Sequence, residues 1–235
     1  MGHVTNDDVP VPAAIELNVP GGPIVRGLRW GAGPETVILI HEPGADLDAW
    51  GPLPHRIARS LRVATLAIDL PGHGLSDAPW VPRGLAKIVR RLVSVGDFAP
   101  QEPGRRRYLV AAGSAAAAAL DLAGDLRLSG LVCLSPSIPE VEASKSVPVS
   151  RSPQTPKLFI AGSIAAGDLS TARRLASASG GWAVVTSVPV AECGTRLLAT
   201  AWRTRLEEEI TAFLRDCQHA SPMRIPARAR SPRER

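Results

Sequence analysis

The most constraining stretch of this 235-residue chain is residues 108–121, YLVAAGSAAAAALD. An apolar run there stops at Gly113-Ser114 and continues as an alanine-rich helical pattern. A short run without a polar break suits a strand buried on both faces. Alanine is the strongest helix former, and its small side chain lets a helix lie close on a sheet. A strand that becomes a helix within one residue makes a sharp elbow, which lifts Ser114 above the end of a parallel sheet.

The rest of the chain repeats this alternation. Residues 37–45 (VILIHEPGA) and 66–77 (LAIDLPGHGLSD) each read as a strand followed by a glycine-bearing turn. Residues 14–19 and 24–30 alternate as two antiparallel strands joined at Gly21-Gly22. Further strands are expected at 37–40, 62–68, 108–112, 130–134, 157–161 and 182–188. Helices are expected at 47–61, interrupted by Pro52 and Pro54, and at 84–98, 115–126, 168–177 and 197–214. Strands alternating with helices imply a mostly parallel sheet with helices on both faces and its functional turns along one edge. The glycines at 31 and 33 are not a dinucleotide fingerprint, because no helix opens there.

The three strand-and-turn stretches, in this order and spacing, resemble the α/β-hydrolase family over residues 14–216. The run Asp69-Leu-Pro-Gly-His-Gly-Leu-Ser76 carries the resemblance most specifically. The resemblance implies the α/β-hydrolase fold with an eight-stranded sheet, and a serine hydrolase or esterase-like site. Ser114 then stands at the nucleophile, in an elbow where alanines 112 and 116 replace the family's outer glycines. Taken alone, Ser114 reads equally as a helix N-cap. Asp168 stands for the family acid, with a longer gap after Gly162 than is usual, and it too reads as an N-cap.

At the family histidine the sequence has Cys193, in VAECGTRLL. A thiol is no substitute for imidazole as a proton shuttle near neutral pH. Glu192 or His41 would be the displaced base if one exists, His41 reading otherwise as a turn-stabilising residue. In the oxyanion region, the resemblance assigns one donor to the N–H of Ala115 and the second to Pro43, which has no N–H. Gly44 could donate only if the loop were shifted. Glu42 in His41-Glu42-Pro43-Gly44 puts an anion beside a site meant to stabilise negative charge. The readings are therefore a serine hydrolase lineage with a degenerate triad, or an active ester or thioester hydrolase, or non-hydrolytic enzyme, using Ser114 with a displaced base. Either way a small acyl or ester-like molecule is the expected partner, and no cofactor or metal is expected.

Composition narrows the alternatives. The net charge is +5, but residues 221–235 hold five Arg and one Glu, so the remainder is close to neutral. A near-neutral body argues against a nucleic-acid groove. The expected organisation is a tail at 1–12, an α/β-hydrolase domain at 13–218 and an Arg/Pro-rich disordered tail at 219–235. Residues 136–155, where related folds insert a helical cap, are rich in Pro and Ser without periodicity, so the cap is expected to be absent or reduced to a loop. Three scattered cysteines suit neither a disulfide scaffold nor a zinc site. With no secretory pattern at the N-terminus and no run apolar enough to span a membrane, a cytoplasmic location is expected.

Overall fold

The computed structural model describes residues 11–18, 23–77, 85–94, 105–138 and 153–220. Both expected tails fall largely outside these residues, as do the turn at 19–22 and residues 139–152 of the expected cap position.

The apolar runs form one eight-stranded sheet: β1 (Ala13–Asn18), β2 (Ile24–Trp30), β3 (Thr36–Ile40), β4 (Ala64–Ile68), β5 (Arg107–Ala112), β6 (Gly130–Leu134), β7 (Lys157–Gly162) and β8 (Ala183–Val188). Their spatial order is β1-β2-β4-β3-β5-β6-β7-β8. β1 pairs antiparallel with β2, and β2 antiparallel with β4; every other pair is parallel.

Among the described residues, five α-helices cover the sheet: α1 (Leu53–Leu61), α2 (Leu85–Ser94), α3 (Gly113–Leu122), α4 (Asp168–Ala178) and α5 (Arg203–His219). The period-2 geometry of the strands splits the core in two. Ile38, Ile40, Leu109 and Ala111 face α2, α3 and α4 through Val89, Leu92, Ala116, Ala119 and Leu175. Val37, Leu39, Val110 and Ala112 face α1 and α5 through Ile57, Leu61, Ile210 and Leu214. This two-sided burial is why the central strands read as continuous apolar runs rather than as alternating ones.

The helix boundaries differ from the sequence expectation in three places. Residues 47–61 divide into a 3-10 turn, Leu47–Trp50, and α1, because Gly51 and Pro52 part them. The helix expected from residue 115 starts at Gly113 and ends at Leu122, so the turn at the elbow is tighter than the alanine run alone suggested. The closing helix expected at 197–214 divides into a 3-10 segment, Gly194–Ala199, and α5, which continues to His219. His219, expected to lie beyond a helix ending at 214, is thus the last residue of that helix.

Candidate active site

The parallel strands all deliver their C-terminal ends to one edge of the sheet. There the loops after β3, β5, β6, β7 and β8 enclose a cavity of about 680 Å³ lined by Glu42, Pro43, Ser114, Ser135, Asp168 and Cys193 among others. Fold topology therefore brings together every sequence-predicted site residue except His41, Ala115 and Glu192.

At the elbow, Ala112 is extended and Gly113 takes the left-handed conformation, with φ of 55°. Ser114 follows in the first turn of α3, half-buried against the cavity. It is not the cap of this helix: that position is Ala112, and no side chain caps it. The Ser114 hydroxyl has no hydrogen-bond partner among the described residues.

Asp168 likewise is not a cap, since Gly167 holds that position for α4. Its Oδ2 accepts the Ser135 hydroxyl at 2.9 Å and the Gly162 N–H at 2.8 Å. Burial raises its pKa above the usual carboxylate value, and those two bonds act against the shift. The carboxylate is thereby committed to the ends of β6 and β7.

His41 is fully buried, with its Nε2 accepting the Leu70 N–H at 3.0 Å and its Nδ1 donating to the Glu42 carbonyl at 2.8 Å. An imidazole with one nitrogen accepting and the other donating is neutral, and burial lowers its pKa further. The ring stitches β3 to β4, as its turn-stabilising reading had it. His73 does similar work one layer out: its Nε2 accepts the Gly44 N–H at 2.9 Å, and its Nδ1 donates to the Pro71 carbonyl at 3.1 Å.

These bonds decide the donor inventory of the β3 loop. Pro43 has no N–H, the Gly44 N–H is taken by His73, and the Ala45 N–H is taken by the Glu42 carbonyl at 3.2 Å. What remains near Ser114 is the N-terminal turn of α3, including Ala115, whose N–H groups have no intrahelical acceptor. Among the described residues of the β3 loop, the Gly44 and Ala45 N–H groups are thus both engaged.

Cys193 sits just before the 3-10 segment, half-buried, 3.6 Å from Nη2 of Arg196. Glu192 is exposed and does not line the cavity. His55 lies in α1 and His219 ends α5, so no histidine is among the residues lining the cavity. Among the described residues, no group of three or more His, Cys, Asp or Glu is placed to hold a metal ion, and no helix is long and apolar enough to cross a membrane.

Two features escaped the sequence. Thr195 donates to Glu42 through its N–H (3.0 Å to Oε1 and 3.3 Å to Oε2) and through its hydroxyl (2.9 Å to Oε1). Ser135 adopts a left-handed φ of 43° beside Asp168. The anion in the His41–Gly44 turn was a visible signal for the first. Nothing local marks Thr195 as its partner, 153 positions away, and nothing local marks the conformation of Ser135.

Comparison with known proteins bears on the fold. Est1E from Butyrivibrio proteoclasticus, solved with ferulic acid bound, superposes with a TM-score of 0.70 at 14% identity, covering 88% of this chain and 100% of its own. XC6422 from Xanthomonas campestris, a serine hydrolase without a lid, gives 0.67 at 17% identity, covering 90% and 97%. The bottromycin epimerase BotH gives 0.63 at 17% identity, covering 86% and 99%. At such identities the likeness is one of fold. No curated protein sequence matches the chain. The sequence model described as the alpha/beta hydrolase family matches residues 37–233. Sheet order, elbow and sequence match thus agree, and the chain belongs to the alpha/beta hydrolase family.

Proposed function

We propose that this protein descends from serine hydrolases, that ester hydrolysis has been lost, and that the cavity is kept to bind a small acyl or ester-like molecule. The observation that carries this reading is the cavity lining: Ser114 faces a space of about 680 Å³, and among the described residues that line it there is no histidine. A serine hydroxyl attacks a carbonyl only when a base within hydrogen-bond reach takes its proton. The two candidates for a displaced base are engaged or remote, His41 bonded at both nitrogens and Glu192 exposed to solvent. Removing the histidine of a serine triad lowers turnover on the order of 10⁶-fold in a well-studied protease, and losing one oxyanion donor lowers it roughly 10²- to 10³-fold. The three cysteines are all free thiols, which suits a reducing compartment such as the cytoplasm.

A fluorophosphonate probe tests the proposal on the full chain. Attack by an activated serine would form an O–P bond and expel fluoride, with the hydroxyl proton passing to a base. The expected result is no labelling of Ser114 above that of a Ser114→Ala variant, and hydrolysis of short-chain p-nitrophenyl esters no faster in wild type than in that variant. Labelling that disappears on Ser114→Ala would refute loss of the nucleophile.

A further inference from the structure

We infer that Gly113, rather than Ser114, stands at the turn of the elbow where a nucleophile would sit, and that Glu42 fills the space that side chains at 113 and 194 would need. The inference rests on the proposed loss of serine chemistry and supplies a steric cause for it.

A nucleophile elbow places its reactive residue on the strained turn itself, between the strand and the first helical residue. Here the residue with that backbone is Gly113, φ 55°, while Ser114 lies one position further, inside the helix. A Cβ added to Gly113 would lie 2.6 Å from the Cβ of Glu42. At Gly194, also left-handed with φ of 62°, an added Cβ would lie 2.4 Å from Oε1 and 2.7 Å from Cδ of the same glutamate. Either side chain would force Glu42 to shift, at Gly113 by its stem and at Gly194 by its carboxylate end. Glu42 therefore runs between the elbow after β5 and the loop after β8, with its stem against Gly113 and its carboxylate against Gly194. The three contacts from Thr195 hold the carboxylate in place.

The consequence is chemical as well as steric. The floor of the cavity, where a serine hydrolase presents a nucleophile to a carbonyl, is occupied by a carboxylate that accepts hydrogen bonds. A side chain at 113 would have to displace the stem of Glu42, and one at 194 its carboxylate.

Because stem and carboxylate contact different glycines, two substitutions of Glu42 separate the contacts. Melting temperatures would be measured for Gly113→Ala and Gly194→Ala, each alone and combined with Glu42→Ala or Glu42→Gly. Glu42→Ala removes the carboxylate and keeps Cβ, so it should relieve Gly194→Ala but not Gly113→Ala; Glu42→Gly should relieve both. A coupling of roughly 3 °C or more is expected in each relieved pair. Ser114→Ala should combine additively with Glu42→Gly. Additive shifts at both glycines would overturn the inference, and so would Glu42→Ala relieving Gly113→Ala as fully as Glu42→Gly does. Where a Gly113 variant yields no folded protein, the Gly194 pairs carry the test. No ligand or probe enters these cycles, so they read the packing of Glu42 against the two glycines whether or not Ser114 is labelled, while a labelled Ser114 would count against the place given to Gly113.

Discussion

Replacing Asp168 separates an architectural carboxylate from a catalytic one. Asp168→Ala would leave two buried donors, the Ser135 hydroxyl and the Gly162 N–H, without an acceptor. Each such orphan costs about 1–3 kcal/mol, and part of the sum is offset because the buried carboxylate no longer has to be desolvated. A net loss of about 2–4 kcal/mol follows, or roughly 5–15 °C in Tm for a chain of this length. Asp168→Asn keeps one acceptor oxygen and should lose about 1 kcal/mol. The pH dependence gives a second readout. Burial holds the folded-state pKa above the ordinary 3.8, so between those values the folded protein keeps a proton that the unfolded chain has released. Stability should therefore fall as pH climbs through that window, and Asp168→Asn should remove that part of the slope. The assay is thermal unfolding by calorimetry from pH 3 upward. If Asp168→Ala melts within 1 °C of wild type, the two donors find other partners and the reasoning fails.

Other expectations follow from single sites. Lys157 is fully buried, its ammonium donating to the carbonyls of Thr155 and Gly180, and burial lowers its pKa from 10.5 to about 8. Between those values the unfolded chain binds the extra proton, so this residue's contribution should make stability rise from pH 8 to 10.5; a Lys157→Met variant whose urea midpoint follows the same slope would contradict this. Glu42→Gln should lower the urea midpoint less than Glu42→Ala, which leaves the buried Thr195 N–H and hydroxyl without their acceptor at a cost of about 2–4 kcal/mol. Equal midpoints would argue against that bond set. Gly27→Ala should destabilise by about 1–3 kcal/mol, because its Cβ would lie 2.3 Å from the Ala67 carbonyl oxygen on β4; a neutral result would show that β2 can slide away from β4.

What the sequence determined by itself was the architecture. The apolar runs at 37–40, 108–112 and 158–161 are unbroken because both faces of those strands are covered, and that burial pattern is written residue by residue. The elbow was legible for the same reason, since only small residues let a helix follow a strand at once. The sequence also shows that no histidine falls in the loop after β8. Tertiary structure alone decided how the polar groups at that edge are spent. Hydrogen bonds such as Thr195 to Glu42, Gly44 to His73 and Ser135 to Asp168 join loops from different strands, and one-dimensional spacing does not encode which loop faces which. The left-handed turn at Gly113 rather than at Ser114 belongs to the same class. A glycine and a serine in sequence both permit that bend, and only the packing of Glu42 against one of them shows which residue must go without a side chain.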